Sequence, residues 1–377
     1  MRRSGATSRG FAWQAVAWAF VLTTAGATAQ SRDGRAVVEA PVYPYLVVPE
    51  DAIYGHLMNG YFKEPVAVHF DEDAQELLVA DSKNGLIGIF DAEGIPVFAF
   101  GAQSVMTDPR RVASGADGSI FVLDSDQSEV KEFSYRGEIR APRRFAYPAI
   151  DDIGGGVARV SAFTLDAAGK WYVADSDLPQ VLVYDAELNF EFAIRPEPAA
   201  ARFGLISSLA VADDGTIAVT DFKETPVQLF DRKGRFLVGW GERDIGVENF
   251  SAPVDVEFDE DGRVFVVDML RHDVKIFSRS GDFLGVFGGW FSATTGGRAP
   301  GEMLYPSGIA IARGGFIYIV ERFGGRVQMF IRRPRDGEDA ASEAPATEGS
   351  AGSGADEASA EPPGEPAEDE RGSEDGN

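Results

Sequence analysis

The chain has 377 residues, 44% of them hydrophobic, with 43 glycines, 20 prolines and no cysteine. Disulfides, thiolate metal sites, a cysteine nucleophile and covalently attached haem are therefore excluded. A formal net charge of −25 disfavours a phosphate-backbone partner, so no nucleic acid is expected.

Residues 1–29 have the pattern of a secretory signal. Arg2, Arg3 and Arg9 form a basic start, Phe11–Leu22 is apolar apart from Gln14, and Ala27-Thr28-Ala29 is a small-residue cleavage site before Gln30. Cleavage there predicts an extracytoplasmic protein, periplasmic or secreted. The same stretch left uncleaved is the alternative, an N-terminal anchor, and only then is membrane contact expected. Residues 30–60 are a lead-in that holds one Val-rich, Pro-punctuated segment, Val37–Val48.

From residue 61 to 334 the chain repeats itself. Six acidic anchors, Asp81, Asp124, Asp175, Asp221, Asp268 and Glu321, each end an apolar run, as in WYVAD and VFVVD. Nine residues after each stands an aromatic: Phe90, Phe133, Tyr184, Phe230, Phe277 and Phe330. Successive anchors are 43, 51, 46, 47 and 53 residues apart, a period that suits one four-stranded propeller blade. Pro109, Pro253 and Pro306 open first strands fifteen residues before their anchors; Pro65 does so at sixteen, which predicts an expanded turn at Asp71–Glu76. Asp117-Gly118, Asp214-Gly215 and Asp261-Gly262 mark tight hairpin turns, because glycine accepts positive φ at little cost.

The predicted fold is all-β: a six-bladed β-propeller of four-stranded antiparallel blades. The sixth repeat stops after Phe330 without a fourth strand. Val37–Val48 is expected to supply it, closing the ring and removing an open edge. Residues 335–377 follow as an acidic tail; from 336 onward they hold fourteen acids, one Arg and no Val, Ile, Leu, Met or aromatic residue. Such a segment cannot bury enough apolar area to offset its ordering entropy, so disorder is expected.

Pro306–Ile311 (PSGIAI), Val173–Ser176 (VADS), Arg326–Phe330 (RVQMF) and Gly281–Gly288 (GDFLGVFG) together resemble the NHL-repeat family of six-bladed β-propellers. The resemblance spans roughly residues 61–333. It implies a platform for protein or RNA, or a metal-dependent enzyme of the kind represented by peptide-amidating lyases. Where the family often places Arg before the third strand, this chain has Leu86, Glu129, Gln180, Pro226, Asp273 and only then Arg326, which argues against a basic RNA-binding rim.

Strands alternate in direction within a blade, so the turns after the anchors share one face with the links between blades. That loop-rich face is the expected binding surface for a protein, peptide or small-molecule ligand. Its candidate residues are Tyr147, Trp240, Arg271, His272, Trp290, Phe291, Tyr305 and Arg322, with Arg298 as a further polar contact. The anchors themselves recur too regularly for a site and are read as turn fasteners. Of the three histidines, His272 and His56 are placed on the loop-rich face and His69 toward the opposite one, short of a three-ligand zinc set. The acidic turns Asp71–Asp73 and Asp259–Asp261 lack the ligand spacing of an EF-hand. The expectation is thus a monomeric, non-catalytic binding platform without a cofactor. A zinc- or calcium-dependent lyase or hydrolase on the same face is the alternative.

Overall fold

The computed structural model describes residues 43–56, 60–101, 104–150, 154–195, 202–290 and 299–334. All of these belong to the first of two compact units, which ends at Arg335. The signal segment and the acidic tail lie outside the described residues.

Six blades follow one another. Blade 1 comprises Pro65–Asp71, Glu76–Asp81, Leu86–Asp91 and Pro96–Phe100. Blade 3 comprises Val160–Leu165, Trp171–Asp175, Gln180–Tyr184 and Phe190–Ile194. Blade 4 runs through Ile206–Val211, Ile217–Asp221, Val227–Phe230 and Phe236–Trp240, and blade 5 through Pro253–Phe258, Val264–Asp268, Asp273–Phe277 and Phe283–Gly288. Blade 2 has three regular strands, Arg111–Ser114, Ile120–Leu123 and Val130–Phe133. Where its fourth would run, Ile139 and Arg143 make single bridges to Phe133 and Val130. Pro142 in that segment has no N–H to give a ladder. The expanded turn of blade 1 is present, with Gln75 at φ 55°.

Blade 6 is completed from the other end of the chain. Pro306–Ile311, Phe316–Glu321 and Arg326–Pro334 are joined by Tyr45–Ile53, which pairs antiparallel with the last of these from Tyr45↔Pro334 to Ile53↔Val327. The closing strand thus exists but starts later than the apolar pattern suggests. Pro49-Glu50-Asp51, which reads as a strand breaker, is absorbed by a register shift between Pro49 and Asp51. Ahead of Pro44, the Tyr43 N–H donates to the Leu284 carbonyl of blade 5 at 3.0 Å. The Tyr43 ring is buried edge-on against Phe265, and Arg263 lies over it. Residues 37–42 of the predicted strand lie outside the described residues.

The first strand of each blade contacts the first strands of both neighbours, including blade 6 to blade 1, so the ring is closed. Six apolar clusters fill the seams between blades. Within one strand, Leu77 and Val79 face blade 6 whereas Leu78 and Ala80 face blade 2. Both faces of a blade are covered, which is why the second strands read as unbroken apolar runs. The six aromatics nine residues after the anchors are at most 1% exposed, each burial being worth about 1.5–3 kcal/mol.

Candidate functional site

The anchors do two jobs. Each is at most 3% exposed. Asp221 accepts from Lys223 and Glu224 N–H in its own turn at 2.7 and 2.8 Å, and from Gly204 and Leu205 N–H in the incoming link at 2.7 and 3.1 Å. The other anchors reach back equally far: Asp81 to Lys63 and Glu64, Asp124 to Thr107 and Asp108, Asp175 to Arg159, Asp268 to Ser251 and Ala252, and Glu321 to Leu304. The five aspartates therefore tie the link entering their blade to the turn leaving its second strand, whereas Glu321 ties its link to Arg326 and Gln328 of the third strand. The loops on this face are held by buried charge-assisted hydrogen bonds.

On that rigid base sits most of the exposed apolar surface. Among the described residues, ten of sixteen exposed large hydrophobics lie on loops of this face, including Tyr61, Phe222, Ile245, Leu270, Trp290 and Phe323. Five of the remaining six, Ile95, Val97, Phe98, Tyr135 and Ile139, belong to the outer edges of blades 1 and 2.

Four rings on the loop face form a ladder across blades 5 and 6. Trp290 meets His272 edge-on with centroids 4.1 Å apart. His272 meets Tyr305 at 4.7 Å, and Tyr305 meets Phe323 at 5.2 Å. The two end rings, Trp290 and Phe323, are 63% and 61% exposed, whereas His272 is fully buried. His272 Nδ1 lies 3.0 Å from the Met303 carbonyl oxygen and 3.1 Å from the Tyr305 nitrogen. One tautomer donates to the carbonyl; the other accepts the Tyr305 N–H. Burial pushes the imidazole pKa below its ordinary value, with the Met303 carbonyl and the Asp268 charge opposing the shift. Among the described residues, His272 and Tyr305 are two of the four non-glycine residues with positive φ, at 61° and 54°. Backbone of this kind costs about 1–2 kcal/mol per residue and persists where the surroundings enforce it.

The remaining candidates separate from the ladder by degrees. Arg322 lies over the Phe323 ring and pairs with Glu64 at 2.5 Å, joining the ladder to the entry of blade 1. Arg271 donates to the Asp244 and Ile245 carbonyls and so braces the link between blades 4 and 5. Trp240 packs on Phe277 and against Gly281, in the seam between blades 4 and 5 rather than in the ladder. Tyr147 sits in a small hairpin, Ala146–Tyr147 with Gly156–Val157, on the blade 2 to blade 3 link. Burial and the nearby Asp175 carboxylate raise its phenol pKa. Phe291 and Arg298 lie outside the described residues. Phe323 belongs to the ladder and was not among the sequence candidates. The signal that singles it out is its position two residues past Glu321, where blade 5 has Leu270, another exposed apolar residue.

A second polar group lies on the ring axis. Arg111 of blade 2 reaches across to donate to the Ser207 and Val254 carbonyls of blades 4 and 5, at 2.7 and 3.2 Å. Asp255 accepts from Ser208 Oγ at 2.5 Å and from Ile309 N–H at 2.9 Å. Burial raises its pKa, with Arg111 opposing the shift. Two residues on, burial and the Asp255 charge push Glu257 up to about 8. His69 Nε2 lies 3.0 Å from Ser114 Oγ, and burial brings its pKa down to about 4. Arg111 and Asp255 occupy a register position held by Ala67, Ala162, Ser208 and Gly308 in the other blades. They are exceptions to the repeat, which is the sign by which the sequence could have revealed them.

The acidic turns fasten themselves. Asp71 accepts from Asp73 and Ala74 N–H. Asp259 is buried, accepts from Asp261 and Arg263 N–H, and pairs with Arg263 and Arg332. Among the described residues no three His, Asp or Glu side chains are grouped to hold a metal ion. His272 is in the ladder, His69 on the axis, and His56 in the strand Gly55–His56.

No protein-family profile and no curated protein sequence matches the chain. Solved structures do resemble it. A streptogramin B lyase is 11% identical with a TM-score of 0.51, over 77% of this chain and 98% of that one. A protein of unknown function from Bacteroides thetaiotaomicron VPI-5482 is 13% identical with a TM-score of 0.54, over 76% and 73%. The virginiamycin B lyase of Staphylococcus aureus is 12% identical with a TM-score of 0.51, over 76% and 89%. These likenesses show the fold. At such identities they carry no residue role from one chain to the other.

Proposed function

We propose that this is an exported, NHL-type propeller that acts as a non-catalytic binding platform through its loop-rich face, with the Trp290–His272–Tyr305–Phe323 ladder as its centre. The observation that carries this reading is the concentration of exposed apolar side chains on one face. A protein or peptide partner fits best. Small ligands favour deep concave sites. The cavity of about 360 Å³ on this face, lined by Ser125, Gln127, Arg159 and Asp177 among others, is open and lies away from the ladder, toward blades 2 and 3. Rigid aromatic anchors on a braced surface are the usual carriers of affinity for a macromolecule. The test is affinity capture from the native compartment with wild type and with a Trp290→Ala/Phe323→Ala double variant. A specific partner lost only by the variant supports the platform; the same partners retained by both overturns the choice of surface.

The alternative is a lyase or hydrolase using a metal on the same face, suggested by the kind of activity named for two of the structural neighbours. Its nearest candidate side chain is His272. Stoichiometric zinc or calcium in purified protein, lost together with turnover in His272→Ala, is the result that would favour it.

A further inference from the structure

We propose that the outer strand of blade 1, Pro96–Phe100, is a dimerisation edge at which a second copy of this chain pairs antiparallel about a two-fold axis. The four outer strands that follow a third strand in their own blades can be compared in register. Pro96, Phe190, Phe236 and Phe283 each pair with the anchor aromatic of their blade, across a register shift. The positions just before and just after them are Ile95 and Val97 in blade 1, Asn189 and Glu191 in blade 3, Arg235 and Leu237 in blade 4, and Asp282 and Leu284 in blade 5.

Blade 1 alone is apolar at both positions and uncovered: Ile95 is 61% and Val97 43% exposed. Blade 3 is charged there. Blade 4 carries Arg235, whose side chain is 76% exposed. Blade 5 carries Asp282, and its Leu284 is 8% exposed because Tyr43 covers it and donates its N–H to the Leu284 carbonyl. The molecule thus already shows that this edge position accepts a further backbone segment. Charge, proline and bulges defend an edge against pairing; blade 1 has no charge from Ile95 to Phe100, and its Pro96 and the adjoining register shift lie at one end of the strand.

The occupant follows from the strand's symmetry. Ile95 already bonds Asp91 through its N–H and carbonyl and Pro96 has no N–H, so it is Val97–Phe100 that presents backbone groups to its own copy, and a two-fold makes one patch its own partner. Phe98 is exposed beside Val97, and the blade 2 turn that packs on Phe100 adds Tyr135 and Ile139 to the patch. Glu93 is exposed ahead of the strand, and Arg136 is exposed in the turn at its far end. Antiparallel pairing brings Glu93 of one copy toward Arg136 of the other. The neighbouring Glu138 receives a hydrogen bond from Ser134 at 3.4 Å. The monomer expected from the sequence is replaced here by a symmetric pair, and the loop-rich faces are left free.

Sedimentation equilibrium on the mature chain tests this, with Val97→Glu as the first variant, since blade 3 already carries glutamate at that position. Wild type is expected to show a concentration-dependent dimer and the folded variant a monomer at all concentrations. If Val97→Glu changes the far-UV spectrum, Ile95→Arg, the residue blade 4 carries, takes its place under the same criterion. A wild type that stays monomeric at about 100 times the concentration used for binding assays, or a folded variant that dimerises like wild type, overturns the proposal.

Discussion

His272 and Gly325 hold the same backbone conformation, φ 61° and 62°, four residues past the anchors of neighbouring blades. Gly85 of blade 1 does the same at 63°. Glycine adopts this conformation freely, whereas an L side chain is strained by about 1–2 kcal/mol. Blade 5 therefore sustains a cost in order to present an imidazole ring between Trp290 and Tyr305. This arrangement orders two substitutions. His272→Ala loses the ring and keeps the strain; His272→Gly loses the ring and relieves it. Both should unfold at lower denaturant than wild type, with the glycine variant about 1 kcal/mol more stable than the alanine variant. Chemical denaturation in urea measures the order, and the reverse order contradicts the strain assignment.

The anchors predict a large effect from a small change. Asp221→Ala leaves four backbone N–H groups without their acceptor on a fully buried site. A loss of at least about 3 kcal/mol is expected. Asp177, two residues past the equivalent anchor in blade 3, is exposed, and Asp177→Ala should cost no more than about 0.5 kcal/mol. Equal effects at the two positions would remove the case for anchors as link clamps.

Two groups on the axis give stability opposite pH dependences. Glu257 titrates near 8 in the folded protein against about 4.3 when unfolded, so the folded state keeps a proton that the unfolded state has lost. Stability should fall as pH rises from about 4.3 to 8, and Glu257→Gln should cancel that fall. His69 is held near 4 against about 6.5 unfolded, so stability should also fall as pH drops from about 6.5 to 4, and His69→Gln should flatten that limb. Melting temperatures across pH 4–9 for the two variants separate the limbs. A Glu257→Gln variant with the wild-type profile above pH 6 contradicts the burial argument.

The closing strand makes a truncation prediction. A chain beginning at Tyr43 retains Tyr43, whose ring packs on blade 5, and Ile53, which fills the seam with blade 1. A chain beginning at Tyr54 loses both, a cost of about 3–6 kcal/mol before the broken ladder is counted. Calorimetry should show the first melting like the mature protein and the second at a clearly lower temperature. Matching transitions would sink closure by this strand.

How far the sequence could be read depended on whether a feature repeated. The anchors, their aromatics and the hairpin glycines recur in register, so the blades were legible down to the expanded turn at Gln75. The closing strand starts at Tyr45, later than its apolar pattern suggests, because Val37–Val48 is richer in valine than Tyr45–Ile53 and a pattern of apolar residues does not disclose that a bulge at Pro49 can be tolerated. The site was legible only in part. His272, Trp290 and Tyr305 stand out as residue types, but their edge-on contacts depend on two left-handed backbones that propensity does not signal. Arg111 meets its partners 96 and 143 residues away, a closeness that only the closed ring creates.

The central claim is that the ladder on the loop-rich face binds a partner. The direct measurement is quantitative capture from the native compartment on immobilised wild-type protein, His272→Gly, and a Trp290→Ala/Phe323→Ala variant, each first shown to be folded. One defined partner is expected on wild type, at least tenfold depleted on both variants. A partner retained equally by all three proteins would contradict it.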